Sequence, residues 1–279
     1  MSAQIPAKLQ NKVAIVTGGG TGIGKGIAKV LIANGATVLI NGRRSAPLEQ
    51  TKAELGQNCH IFVGDVSQEK TCIDLVETCI REYGSVDILV NNAGIEGPSL
   101  DILDNCSVDD FDNILNVNVR SQFMMCKAVI PHMKERSAKI KERYPTFEAR
   151  SAARPHAGAI VNLTSIAGQA GFAGLASYSV SNFGRAGLTR TLALELAEFH
   201  VTCNAIAPGI VWTEILDRLM QGMTEEGGCK VDTFREKVET LIPMKTAQLC
   251  EDMGEAALYF ATAPNTTGQV LAVDGGYLA

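Results

Sequence analysis

Two hydroxyls and an amide carry the chemistry that this sequence can offer. From Ile160 to Arg190 the chain reads IVNLTSIAGQAGFAGLASYSVSNFGRAGLTR. A buried strand ends on Ser165, a Gly/Ala-rich loop follows, and a helix then presents Tyr178. Ser165 and Tyr178 can thereby point at one reacting carbon from two rigid elements. One turn beyond Tyr178, where such a site wants a cation, stands Asn182.

The elements that must position this pair begin early in the chain. Lys12 to Thr17 is a short, continuous apolar run, as a parallel strand buried on both faces requires. It runs into Gly18-Gly-Gly-Thr-Gly22-Ile23-Gly24 and a helix from Ile27 to Asn34, stopped by Gly35. Strand, glycine turn and helix in that order open a dinucleotide-binding unit, in which glycine permits close backbone approach and the helix N-terminus offers N–H groups to a pyrophosphate. The second strand, Ala36 to Asn41, leads to Gly42-Arg43-Arg44. A carboxylate here would accept from a ribose 2′-OH, whereas arginine suits a 2′-phosphate. With Asn41, Arg43 and Arg44 and no carboxylate before Glu49, the reading is NADP(H) in preference to NAD(H); the alternative is a pair of solvated loop arginines.

A third strand, His60 to Val63, ends in Gly64-Asp65-Val66, and Asp65 is placed to hold an adenine amine. Ser67 is expected to cap the next helix, whose inward stripe is read as Ile73, Val76 and Ile80. Strand four, Val86 to Val90, precedes Asn91-Asn92-Ala93-Gly94. One long helical segment is expected from Ser107 to about Met133; Asn118 within it, flanked by Val117 and Val119, signals a kink or a bound water. Residues 134–157 are basic, Pro-broken and poor in core residues, and read as an insertion of structural or oligomer-related rather than catalytic purpose. After a strand from Val201 to Ala207 and Pro208-Gly209-Ile210-Val211-Trp212-Thr213, the segment to about residue 247 is a candidate substrate cover. A helix from Cys250 to Ala261 and a closing strand from Gly268 complete the alternation. The expected architecture is α/β: a single Rossmann-type domain over 1–279, with a doubly wound parallel sheet flanked by helices.

Composition narrows the function classes. The 279 residues are 46% hydrophobic and 20% charged, with a net charge of −5. No basic footprint for nucleic acid is visible. The apolar runs are strand-sized, well short of the roughly 18 residues of a membrane span. MSAQIPAKLQNK has no apolar stretch of a secretion signal, so a cytoplasmic location is expected. Eight cysteines and four histidines show no metal-ligand spacing, and no metal is expected.

Taken together, these residues resemble the short-chain dehydrogenase/reductase family from Lys12 to Gly276. Thr17 to Gly24 matches its TGxxxGxG motif, and Asp65, Asn91 to Gly94, Asn118, Ser165, Tyr178 and Pro208-Gly209 fall in order. The resemblance implies an oxidoreductase interconverting a carbonyl and a secondary alcohol by hydride transfer. It implies that Tyr178 is the proton donor, that Ser165 holds the substrate oxygen and that Asn118 helps to bind the water of a proton relay. Gly18, Gly22, Ile23, Gly24, Arg43, Arg44, Asp65, Val66, Asn92, Ala93, Gly94, Pro208 and Gly209 would hold the cofactor, with Ile210 and Thr213 near its carboxamide. A homotetramer or homodimer joined through the two long helices is implied as well, with Phe183, Tyr277 and Leu278 suited to such contacts.

The chain departs from the family's YxxxK motif, reading Tyr178-Ser-Val-Ser-Asn182. Asn182 can still bond ribose hydroxyls but supplies no charge, and a lost cation raises the tyrosine pKa by about one to three units. Arg185, further along the same face, is expected to be solvated or paired at an interface, and only if turned inward would it restore part of the field. The competing function is a family member repurposed for a non-redox reaction or for cofactor binding alone. The substrate pocket is expected to be bordered by Ile95, Glu96, Gly97, Gln169 to Phe172, Trp212 and Leu216.

Overall fold

The apolar run after Lys12 forms β1 (Val13–Thr17), and every residue of it is buried. Side chains alternate across a strand. Accordingly Ala14 and Val16 pack into one helical layer, and Val13 and Ile15 into the other. That two-sided burial is why the strand carries no polar alternation. Removing the enclosed Ile15 side chain would cost about 2–5 kcal/mol.

A computed structural model describes residues 7–97, 102–213, 236 and 238–279. After β1 come α1 (Gly22–Ala33), β2 (Thr37–Gly42), α2 (Ser45–Leu55), β3 (Cys59–Val63), α3 (Glu69–Tyr83) and β4 (Ile88–Asn91). Then α4 (Val108–Leu115) joins α5 (Ser121–Arg143) through a π-helical turn, Asn116–Arg120. The chain continues as α6 (Phe147–Ala153), β5 (Gly158–Leu163), α7 (Ala176–Leu196), β6 (Val201–Pro208), α8 (Cys250–Thr262) and β7 (Val270–Val273). The strands make one parallel sheet of seven in the order β3-β2-β1-β4-β5-β6-β7. Ile27 and Leu31 of α1 and Met253 and Phe260 of α8 cover one face. Leu75 of α3, Val129 and Met133 of α5 and Leu192 of α7 cover the other. This is the doubly wound α/β sheet expected from the alternation of elements.

Local details differ from the sequence reading. Ser67 does not cap α3: Asp65 Oδ1 takes its N–H at 3.0 Å in a local turn, and the helix starts at Glu69 behind Gln68. The buried stripe of α3 is Cys72, Leu75, Val76 and Cys79, while Ile73 is 43% exposed. The single helix expected from Ser107 to Met133 is two helices, because the ladder re-registers around Asn118, which is fully enclosed. Residues 134–143, placed in the insertion, are the tail of α5. There Arg136 bonds the Val86 carbonyl at 3.1 Å and pairs with Asp87 at the foot of β4. Most of the candidate substrate cover, with Leu216, lies outside the described residues. No helix among the described residues is long and apolar enough to cross a membrane.

Candidate active site

The strand order reverses between β1 and β4, and a ligand crevice in such sheets opens beyond the C-terminal ends at that point. The segments after β1 and β4 are sewn together there. Asn92 Nδ2 donates to the Thr17 and Gly18 carbonyls at 2.9 and 3.2 Å, and Thr17 Oγ1 accepts from the N–H groups of Asn92 and Ala93, each at 3.0 Å. Gly18 has φ +67, and a Cβ on it would stand 2.8 Å from Asn92 Nδ2, so the join requires glycine.

The surroundings of this crevice fit a dinucleotide. No side chain caps the N-terminus of α1, and its first turn, with Gly22, Ile23 and Gly24, has no acidic residue, leaving it receptive to an anion. Gly19 N–H donates to the Asn41 carbonyl at 3.0 Å, bringing the glycine loop beside the end of β2. Asn41 itself is buried, its amide held by the Phe62 and Gly64 carbonyls, so it does not face a ribose. Arg43 and Arg44 follow it, exposed and without an ion pair among the described residues. Asp65 lies beyond β3, with Oδ2 left without a partner among the described residues, and Val66 is buried beside it. Beyond β6, Gly209 N–H bonds Val273 O and Ile210 O accepts from Gln248 N, each at 3.0 Å. Thr213 lies near Gly22, its methyl 3.4 Å from where a Cβ on that glycine would stand.

Ser165 sits past the end of β5, where Thr164 extends the pairing with Ile206. Its backbone is extended and its Oγ accepts from Ala167 N–H at 3.2 Å, fixing the side chain at the start of a short turn. Tyr178 is in the first turn of α7. Ser165 and Asn182 lie close enough to the phenol to favour its anion. Asn182 is fully enclosed: its Nδ2 donates to the Tyr178 carbonyl at 3.0 Å, and its Oδ1 is buried without a partner among the described residues. Enclosed in this way, Asn182 presents no surface to a cofactor ribose. Asn118 clamps the loop after β4, accepting from Ile95 N–H and donating to Ile95 O, both at 2.8 Å, and donating to Ser181 Oγ at 3.1 Å.

Arg185 corrects the expectation most sharply. It is neither solvated nor at a surface but 4% exposed, with Nε donating to the Asn118 carbonyl at 2.8 Å and Nη2 to the Ala93 carbonyl. It has no carboxylate partner among the described residues. Burial draws its pKa down to about 10, which leaves it charged near neutrality. A buried chain of bonds supports its backbone: Asn91 Nδ2 donates to Asn162 Oδ1, Asn162 Nδ2 to Thr189 Oγ1, and Thr189 Oγ1 to the Arg185 carbonyl.

A cleft of about 170 Å³ opens on Tyr178, lined also by Glu96, Ser107, Asp110, Ile114 and Leu175. Of the expected pocket residues it contains Glu96, while Ser107, Asp110 and Ile114 enter from α4 and its N-cap. Only the folded chain brings that helix here, and no local signal marks them. Burial and the Glu96 carboxylate hold the Tyr178 phenol above its ordinary pKa, with Ser165, Arg185 and Asn182 pulling the other way. Burial likewise raises the Glu96 carboxyl.

Residues 12–224 match the family described as short chain dehydrogenase. The chain is 31% identical to the uncharacterized oxidoreductase YxjF of Bacillus subtilis, covering 97% of this chain and 100% of the relative. It is 32% identical to the 3-oxoacyl-[acyl-carrier-protein] reductase FabG of Chlamydia trachomatis, covering 96% and 98%. Among solved structures, levodione reductase aligns with a TM-score of 0.84 at 26% identity, covering 96% of this chain and 98% of that one. The 3-ketoacyl-(acyl-carrier-protein) reductase from Brucella melitensis, complexed with NADH, aligns at 0.83 with 32% identity, covering 97% and 100%. Matched by the family model over residues 12–224 and by these relatives along almost its whole length, this protein is an oxidoreductase that belongs to the short-chain dehydrogenase family.

Proposed function

We propose that the protein reduces a carbonyl compound to a secondary alcohol, or runs the reverse reaction, with NADP(H). The observation that carries the reading is the hydroxyl pair: Ser165 stands beside the Tyr178 phenol, and Tyr178 lines a cleft. When bound, the nicotinamide supplies or removes the hydride at the carbonyl carbon. In the reducing direction Ser165 Oγ–H holds the substrate oxygen as negative charge develops on it. The Tyr178 phenol gives that oxygen its proton, so that the products are an alcohol, oxidised cofactor and a tyrosinate that solvent reprotonates. The raised phenol pKa keeps the proton available until the alkoxide forms.

The uncapped start of α1 would take the pyrophosphate, Asp65 the adenine amine, and Arg43 and Arg44 a 2′-phosphate. Asn92, Ala93 and Gly94 would border the nicotinamide half, with Pro208, Gly209, Ile210 and Thr213 opposite. Exposed Phe123 on α5 and Val180, Phe183 and Leu194 on α7 support a homodimer or homotetramer through these helices.

The test is NADPH oxidation by the purified protein with a carbonyl panel that includes a 3-oxoacyl thioester and a cyclic diketone. Turnover that disappears in Tyr178→Phe supports the reading. Tight NADPH binding with no oxidation by any carbonyl overturns it.

A further inference from the structure

Asn182 brings no charge to the site, and its amide is already committed to the Tyr178 carbonyl. The charge that is present belongs to Arg185. Residues seven apart share a helix face, and helical side chains lean toward the N-terminus. A long side chain at 185 therefore leans back over the turn of Ser181 and Asn182, toward Tyr178, although positions 178 and 185 are about 10 Å apart along the axis.

Three observations set this arginine apart from a structural one. It is buried without a carboxylate among the described residues, and an uncompensated buried charge is costly. Among the described residues Tyr178 is the ionisable group whose charge acts on it, and Arg185 in turn favours the tyrosinate. Its guanidinium is also held in place: Nε lies on the Asn118 carbonyl within the π-helical turn, and Nη2 on Ala93 O. A Cβ on Gly94 would stand 3.1 Å from Nη2 and 3.3 Å from Nη1, so the group lies against bare backbone.

We propose that Arg185 is the positioning residue of this centre, supplying from two turns along α7 the positive charge that Asn182 lacks and stabilising the tyrosinate left when Tyr178 gives up its proton. As a role in turnover this rests on the carbonyl-reductase reading; as an electrostatic relationship it can be measured without any substrate. The groups that face the phenol are Glu96 from the loop after β4, which opposes ionisation, and Ser165, Arg185 and Asn182, which favour it.

The experiment is an ultraviolet difference titration of tyrosinate in the intact protein, with Tyr178→Phe subtracted to isolate this phenol. Arg185→Met should raise the pH at which Tyr178 ionises by about one to three pH units. Arg185→Lys should return most of that change, and the pH at which alcohol oxidation reaches half its maximal rate should move with it. Should Arg185→Met fail to fold, Arg185→Gln, which keeps a donor at the level of Nε for the Asn118 carbonyl without the charge, is judged by the same criterion. An unchanged Tyr178 titration in the uncharged variant, or an Arg185→Lys that behaves like it, overturns the proposal. A protein that titrates as expected yet oxidises no NADPH keeps this role for Arg185 and loses the reductase reading. One that turns over while its phenol ignores Arg185 does the reverse.

Discussion

Arg185 donates its Nε–H to the main-chain carbonyl of Asn118 at 2.8 Å, tying the middle of α7 to the π-helical turn ahead of α5. The Asn118 side chain meanwhile clamps both polar groups of Ile95. Three segments distant in sequence thus meet at one asparagine, and the loop that borders the cleft is held through it.

Asn118→Ala leaves the part-buried Ile95 N–H and C=O and the buried Ser181 hydroxyl short of a partner. Unmade buried hydrogen bonds are expensive, so a loss of about 2–4 kcal/mol is expected in urea denaturation. A variant as stable as the parent would show that the clamp contributes little.

Gly94→Ala should reproduce part of the effect of removing Arg185 without touching the arginine. The added Cβ would crowd Nη2 at 3.1 Å and Asn118 Oδ1 at 3.2 Å, so the guanidinium must give way. A fall in turnover of about tenfold, with the pH profile displaced to higher pH, is the expected result. A slower enzyme with an unmoved profile would instead point to the cofactor side of the loop.

Much of this architecture was legible in the sequence. Strands such as β1 and β6, buried on both faces, leave continuous apolar runs, and the glycine turn after β1 announces its own use. The inward face of α3 is legible only in part: Val76 and Ile80 pack inward as expected, but Cys72 and Cys79 act there as small hydrophobes while Ile73 points outward. The π-helical turn was foreshadowed by Asn118, an amide set between two valines. Of the two placements open to Arg185, the sequence favoured the wrong one, solvated or paired at an interface rather than turned inward. Helical spacing places it on the Tyr178 face but says nothing of what covers that face, and an arginine is solvated far more often than sealed. Only the meeting of α7 with the Asn118 and Ala93 carbonyls shows where its charge lies.

The cofactor assignment has its own test. Arg43 follows β2, exposed and without an ion pair among the described residues, as an arginine awaiting a 2′-phosphate would be. Arg43→Ala should weaken NADPH binding by about ten- to a hundredfold and NADH binding much less, by calorimetric titration. Equal losses for the two would contradict NADP(H) preference.

His156, within the segment read as an insertion, should make the fold acid-sensitive. Burial first, then Lys12 and Arg136, bring its pKa down to about 4, and its Nε2 lies 3.0 Å from Thr202 Oγ1. An unfolded histidine titrates near 6.5. Below that pH the unfolded chain binds a proton that the folded one refuses, so stability falls as pH drops from about 6.5 toward 4. His156→Gln should flatten this part of the stability curve in denaturation at pH 7 and pH 5. An equal drop in parent and variant would remove His156 as the cause.

The account turns on a cation that comes from Arg185 rather than from position 182, and moving that cation is the most direct test. Carbonyl reduction would be measured as kcat in the parent, Arg185→Leu, Asn182→Lys and the double variant. Arg185→Leu is expected to lose about one to three powers of ten, and the double variant to regain a large part of that loss. An Arg185→Leu protein that turns over as fast as the parent would contradict the account.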